Sequence, residues 1–443
     1  GLAPWEIYVS ESQERMLLVV PSENLKKVLE IFEREDVEAT AIGKCTADKV
    51  LRVYYQGEAV AEIDIPFLFE PPEVTRNAEY KPTSFEEPKF PEPKNLTGVL
   101  LKLLSSPNIA SKESVIRTYD HEVKGNTVLK PLQGEHGGPN DAAVIKPLKD
   151  SWKGVAISCG MNPNYGKIDS YWMAASAIDE AIRNNTAVGG RRIALLDNFT
   201  WGNPEKPERL GSLVKACQAC YDFATAFRTP FISGKDSLYN ESPLGPVTPT
   251  LLITALGIVA DVRSAVSMDV KDVNDAMYIV GQSFHELGGG EYYKLNGFVG
   301  NSVPKVRPEQ AKKTFEAVTK AIDHGLIKAC HDLSDGGLAT AAAEMAFTGG
   351  YGMELNLRKV PRKALNRDDF TLFSESNSRF LMEVSEKAKE GFEELMKGKV
   401  CAEIGKVTKA SRFRIYGLNE EIVVDASLSE LMSRWKQALS GEV

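Results

Sequence analysis

Ser10-Glu11-Ser12-Gln13-Glu14-Arg15-Met16-Leu17, at the start of the chain, is matched near its end by Ser374-Glu375-Ser376-Asn377-Ser378-Arg379-Phe380-Leu381. The correspondence continues. Ile42-Gly43-Lys44-Cys45-Thr46 matches Ile404-Gly405-Lys406-Val407-Thr408, and Leu51-Arg52-Val53-Tyr54 matches Phe413-Arg414-Ile415-Tyr416. The offset is 364 for the first block and 362 for the other two, so order and spacing are kept over a repeat of about 360 residues. A repeat of that length is a duplicated multi-domain unit. Each copy reads as a strand (16–20; 380–384), a helix and two further strands. Ser22 is the expected N-cap of a helix over 23–34.

The late copy follows a long segment, roughly 100–370, whereas only nine residues precede the early one. A regular duplication therefore leads one to expect about 260 residues of a first unit upstream of Gly1. Between Glu70 and Lys94 stand six prolines among charged residues, the composition of an extended linker, expected over 71–98. Beyond it, strand-like runs at 155–159, 193–196, 230–233 and 251–259 alternate with helical patterns, which favours a mixed α/β domain over 99–270. A closing domain over 271–443 opens on a strand at 276–280 and carries a helix over 308–324. Residues 1–70 form the end of the earlier copy.

Composition narrows the function. With 443 residues, 43% hydrophobic and 26% charged, the chain exceeds one ordinary core and has ample apolar surface to fold. A formal charge of −8 argues against a nucleic-acid-binding face. An acidic protein that handles phosphate must supply local positive charge through Lys, Arg or Mg²⁺. The six cysteines are scattered, as in a reduced compartment, and the one CxxC, Cys217 and Cys220, lies in a helical stretch where packing is the expected role. No run approaches membrane-spanning length and the first ten residues lack signal-peptide character, so a cytoplasmic location is expected.

The sharpest motif is Cys330-His331-Asp332-Leu333-Ser334-Asp335-Gly336-Gly337-Leu338, which sets carboxylates, a hydroxyl and two glycines just ahead of a helix. Such a loop suits an anion or a hard cation, with N-capping by Ser334 or Asp335 as the plainer alternative. Asp141 begins a strand-like run, and Glu180 and Asn184 stand at i and i+4 of a helix starting near Tyr171. Their oxygens suit Mg²⁺, or form an exposed polar pair. Ser233-Gly234-Lys235-Asp236-Ser237 lacks the first glycine of a phosphate-binding P-loop, Thr229 standing in its place; a strand-to-turn phosphate contact or an ordinary polar turn are the two readings. Asp197-Asn198-Phe199-Thr200-Trp201-Gly202-Asn203-Pro204 follows a strand, where α/β proteins usually hold ligands. The histidines have no metal spacing and no Ser or Cys partner, against a zinc site or hydrolase triad.

Taken together, PWEIYVSESQERM (4–16), SPNIASKESVIRTYDHEV (106–123), NDAAV (140–144), DNFTWGNPEKPE (197–208), SGKDSLYNE (233–241) and HDLSDGGLATAAAEMAF (331–347) resemble the PurL family, the synthetase component of formylglycinamide ribonucleotide amidotransferase. The resemblance implies a duplicated fold of AIR-synthetase-like units, each a domain contributing to a shared β-barrel plus an α/β domain. It implies an ATP-dependent C–N ligase that phosphorylates the formamide oxygen of formylglycinamide ribonucleotide and lets ammonia displace phosphate, giving formylglycinamidine ribonucleotide. By the same resemblance Glu11, Ser12, Gln13 and Ser237 contact the ribonucleotide, Asp197, Gly234, Lys235 and Ser334 contact ATP, and Asp141, Glu180, Asn184 and Asp332 hold metal at a second, pseudo-symmetric nucleotide position.

Lys235 stands where many members carry a magnesium-binding Asn, and a charged lysine is no metal ligand. The family's catalytic histidines would lie upstream of Gly1, in a missing amino-terminal part without which the chain is expected to be inactive. The implied cofactors are ATP and Mg²⁺; the implied partners are a glutaminase subunit and a small bridging subunit. Two other readings are a catalytically silent nucleotide-binding scaffold and a relative of aminoimidazole ribonucleotide or selenophosphate synthetases, the latter disfavoured because those enzymes resemble single units.

Overall fold

The computed structural model describes residues 1–70, 72–119 and 121–439. Pro71 of the proline run, Asp120 of the 106–123 motif and residues 440–443 of the expected closing domain lie outside them. The chain divides into two compact units, Gly1–Thr75 and Arg76–Val443, a division that falls inside the proline-rich stretch.

In the first unit a 3₁₀ turn, Ser22–Asn24, leads into the helix Leu25–Arg34, followed by an antiparallel pair, Val50–Tyr55 with Glu58–Asp64. Ser22 does not cap this helix. Pro21 starts the 3₁₀ turn and Asn24 takes the N-cap position without a side-chain bond. Residues 16–20, expected as a strand, and 42–46, whose late counterparts 404–408 are strand, are not strands. Their counterparts in the late copy show why. Phe380–Val384 is paired on both sides, with Ala276–Val280 and Ala329–Asp332, and Cys401–Thr408 lies between Ala276–Val280 and Gly352–Asn356. The first unit contains no equivalents of those neighbours, so backbone that would form a ladder stays unpaired and Met16, Leu17 and Val19 are 80% exposed or more.

The second unit is built on two open, mixed sheets. In the first, the order is Thr127–Leu129, Ala143–Ile145, Gly154–Gly160, Thr250–Val259, Gly190–Thr200, Phe231–Ser237, all antiparallel except the last pair. In the second, Ala329–Asp332, Phe380–Val384, Ala276–Val280, Cys401–Thr408, Gly352–Asn356, Arg412–Tyr416 and Ile422–Ser427 follow one another. Neither sheet closes, so the expected barrel does not form among the described residues.

Strand alternation sets the faces of the first sheet: Leu251, Ile253 and Ala255 are fully buried at period two. Onto that face packs the helix Ser170–Ala187, capped by Asp169, which accepts the N–H groups of Tyr171 and Trp172. The same helix meets the helix Pro308–Asp323 and the strand Ala329–Asp332, so it is enclosed on nearly every side. Its alanines permit that close approach; burial all round is what a helix rich in small apolar residues allows. The helix Gly337–Gly349 is likewise buried over 337–348. No helix among the described residues is long and apolar enough to cross a membrane.

Candidate functional site

Two groups of the residues singled out by sequence come together in the second unit. The first lies where Gly190–Thr200 runs parallel to the edge strand Phe231–Ser237. Here two expectations are corrected. Asp197–Thr200 belong to the strand rather than to a loop after it, and 233–237 is strand rather than turn, because the parallel pairing continues through Asp197↔Gly234 to Thr200↔Ser237. The loop begins only at Trp201, whose N–H donates to the Ser237 carbonyl at 2.8 Å.

A Cβ added to Gly234 would fall 2.2 Å from Asp197 Oδ1, so only glycine lets this carboxylate lie against the neighbouring backbone. Burial raises the Asp197 carboxyl above its usual range, and a bond from the Lys235 backbone partly offsets that. Lys235 is exposed and donates to the Ser237 hydroxyl. The exposed edge therefore presents an acid, a cation, a hydroxyl and a glycine within one short strand pair.

The second group lies at the end of the strand Ala329–Asp332, against the helix Ser170–Ala187. Asp141, His331 and Asp332 bring one ligand-type atom each to within 4.8 Å of one another. His331 Nδ1 lies 3.0 and 3.2 Å from the two Asp141 oxygens, and Nε2 lies 3.2 Å from Glu344 Oε2. Burial alone would depress this histidine, but the Asp141 and Glu344 carboxylates outweigh it and hold the imidazolium well above the ordinary range. The Asp332 N–H donates to Asp141 Oδ1 at 2.9 Å.

Arg183 supplies the other positive charge. Its Nε donates to Asp332 Oδ2 at 3.0 Å, Nη2 to Ser334 Oγ at 2.7 Å, and Nη1 to Asp179. Asp179 in turn accepts the Ser378 N–H at 2.9 Å, and Ser334 donates to Asp332. Although burial opposes it, the paired Arg183 and His331 charges keep the Asp332 carboxyl below its usual range. Sequence reasoning missed Arg183, Asp179 and Glu344; the i, i+4 spacing of Asp179 and Arg183 was the available signal.

Glu180 and Asn184 lie about one turn apart within the same helix, both half-buried. Glu180 Oε2 accepts the Met161 N–H at 3.0 Å and the Asn162 amide at 2.6 Å, and burial pushes its carboxyl up to about 7. Asn184 donates to the Cys159 carbonyl at 2.9 Å and leaves its Oδ1 buried without a partner. As a magnesium set, Asp141, Glu180, Asn184 and Asp332 fit poorly. Mg²⁺ needs free oxygen lone pairs in near-octahedral array, yet both Asp141 oxygens and Asp332 Oδ2 already accept from internal donors. Asn184 Oδ1 alone of the four residues' side-chain atoms is buried and unsatisfied.

Neither Ser334 nor Asp335 caps the following helix. Gly336 and Gly337 both take left-handed φ, +74° and +66°, and the Gly336 N–H donates to Glu375 Oε1 at 2.9 Å. Glu375 also accepts the Glu291 N–H at 2.9 Å and the Tyr165 hydroxyl at 2.7 Å. Glu291 in turn accepts from Ser106 and Asn108 of the 106–123 motif, at 2.6 and 2.7 Å. Glu11, Ser12 and Gln13 belong to the first unit, where they form an exposed turn: Ser12 N–H donates to Ser10 Oγ at 3.3 Å and Gln13 Nε2 to the Glu11 carbonyl at 2.9 Å.

Comparison with known proteins sets this geometry in a family. The C-terminal domain model of AIR synthase related proteins matches twice, over 1–56 and 272–417, and the N-terminal domain model matches 139–259. The double match falls on the two copies found in the sequence. The chain is 37% identical over 447 aligned residues to the phosphoribosylformylglycinamidine synthase subunit PurL of Methanocaldococcus jannaschii, covering 99% of this chain and 59% of that protein. The chain belongs to the PurL family. A Thermococcus sibiricus PurL is 38% identical, over 87% of this chain and 53% of its own length. The chain thus spans between half and three fifths of these relatives.

Among solved structures, phosphoribosylformylglycinamidine synthase II of Thermotoga maritima aligns with a TM-score of 0.61 at 18% identity, covering 77% of this chain and 52% of that one. This likeness places the fold with the family. Thermotoga PurL has also been solved complexed with FGAR and with ATP, and within a PurLQS assembly.

Proposed function

We propose that this chain supplies part of an ATP-dependent synthetase that converts formylglycinamide ribonucleotide and glutamine-derived ammonia to formylglycinamidine ribonucleotide in purine biosynthesis. The observation that carries this reading is identity of 37% sustained over 99% of the chain to a protein of that name. The Thermotoga relative solved with FGAR and with ATP supports the substrate and nucleotide classes, and its PurLQS assembly supports a glutaminase and a small bridging subunit as partners.

The chemistry requires a poor leaving group, the amide oxygen, to be phosphorylated before ammonia attacks, which makes it a positioning and charge-neutralisation problem. In this chain Asp197, Gly234 and Lys235 bind the nucleotide. Gly234 keeps Asp197 against the strand pair, and Lys235, one residue on, offers a mobile point charge for phosphate. Ser237 contacts the ribonucleotide in the second unit, and Glu11, Ser12 and Gln13 are the first unit's own candidate ribonucleotide contacts. ATP and Mg²⁺ are the cofactors, the metal accompanying the phosphates and neutralising charge that develops on them.

The domain division proposed is an early C-terminal-like piece (1–70), a linker (71–98), an N-terminal-like domain (99–270) and a second C-terminal-like domain (271–443). Turnover needs the amino-terminal part of a PurL protein that this chain does not span, and the assembly works in the cytoplasm. The test is Asp197→Asn in the chain combined with that part. Loss of ATP-dependent amidine formation with unchanged melting supports the reading; full activity in the variant contradicts it.

A further inference from the structure

The acidic cluster at the end of the strand Ala329–Asp332 has the composition of a metal centre and the bonding of a finished salt-bridge network. We infer that Arg183 is its resident cation, so that the Asp141–Asp332 cluster is closed by the protein itself and takes neither a divalent metal nor a metal-bound nucleotide.

The bonds are arranged around Arg183 as ligands would be around an ion. Nε engages Asp332, Nη2 engages Ser334 and Nη1 engages Asp179, so one guanidinium joins the helix Ser170–Ala187 to the 332–334 loop. Asp179 extends the junction to Ser378 in the late SESNSR copy. Arg183 is only 2% exposed and Asp179 is fully buried. A planar fork with several donors suits three oxygen partners, which a single ammonium would not reach together.

The opposite side of the cluster is held by His331, with one ring nitrogen on Asp141 and the other on Glu344. A dication would have to displace a guanidinium and an imidazole from buried carboxylates, then accept two like-charged groups as close neighbours. What remains for it is the unpartnered Asn184 Oδ1 together with the second oxygens of Asp332 and Glu180, whose internal bonds fall on Asp332 Oδ2 and Glu180 Oε2. Three acceptors drawn from a helix and a strand end fall short of an octahedral cage. Ser334, the expected nucleotide contact here, accepts from Arg183 and donates to Asp332, so its hydroxyl is committed as well.

This inference concerns the second nucleotide position only. It stands or falls independently of ATP use at Asp197 and Gly234, because its test uses metal without nucleotide. The full chain is titrated with Mn²⁺ alone, followed by electron paramagnetic resonance, beside Asp332→Asn and Arg183→Met. The wild type is expected to bind no Mn²⁺ that Asp332→Asn removes, and its melting temperature should not shift with millimolar Mg²⁺ or with chelator. Arg183→Met is expected to lower the melting temperature and to gain a Mn²⁺ site that a second change, Asp332→Asn, abolishes. A Mn²⁺ site present in the wild type and lost in Asp332→Asn overturns the inference. If Arg183→Met fails to fold, the comparison of wild type with Asp332→Asn still decides.

Discussion

Glu375 Oε1 accepts the Gly336 N–H at 2.9 Å, which places the carboxylate of the late SESNSR copy at the start of the helix Gly337–Gly349. Glu11, its counterpart 364 positions earlier, is exposed. The same motif residue thus serves as an internal strut in one copy and is free to meet a ligand in the other.

Replacing Glu375 with Ala strands three buried donors, Gly336 N–H, Glu291 N–H and the Tyr165 hydroxyl. At about 1–3 kcal/mol for each unsatisfied group, the variant should lose at least about 3 kcal/mol in urea unfolding. Glu11→Ala should leave the unfolding midpoint within error and lower only ribonucleotide affinity in the reconstituted enzyme. Equal stability losses in both would remove the distinction.

Gly234→Ala is the sharpest probe of the nucleotide edge, since its Cβ would fall 2.2 Å from Asp197 Oδ1. The Asp197 side chain must turn away, while the exposed edge strand absorbs the methyl elsewhere. We expect KM for ATP to rise by roughly 10-fold or more, as for a displaced binding group worth about 1.4 kcal/mol or more, with the melting temperature little changed. An unaltered KM would show that Asp197 does not meet the nucleotide.

The pH dependence has a specific source in Glu383. It is fully buried, it accepts the N–H groups of Lys271 and Asp272 at 2.8 Å each, and burial raises its carboxyl to about 7. The native state therefore keeps this proton after the unfolded chain, with an ordinary carboxyl near 4.5, has lost it. The resulting stability is full below about pH 4.5 and lost as pH rises through about 7, on the order of 2–3 kcal/mol. Urea unfolding at pH 5 and pH 8 should differ by less in Glu383→Gln than in the wild type. An identical difference in both would assign the dependence to other groups.

The repeat, most strands of the two large sheets and the long helices were legible because they are written in local periodicity and in recurrence along the chain. Strand formation at 16–20 was not, since a strand exists only with a neighbour. Met16 and Leu17 carry the pattern that Phe380 and Leu381 carry, but only the latter pair with Ala276–Val280 and Ala329–Asp332. The 331–337 motif was legible as a place of unusual chemistry, and its closure was not. Glu180 and Asn184 drew attention through metal-like spacing, while Arg183 between them, paired back to Asp179 and across to Asp332, sets what the cluster does. Long-range partners 149 residues apart leave no trace in spacing.

The most direct measurement of the central claim is amidine formation by the chain combined with the part of a PurL relative that it does not span, supplied with formylglycinamide ribonucleotide, Mg-ATP and ammonia. The account predicts formylglycinamidine ribonucleotide in step with ADP from the combined polypeptides, none from this chain alone, and loss of both with Asp197→Asn. A folded, associated pair that yields no amidine, or full turnover by this chain alone, would contradict it.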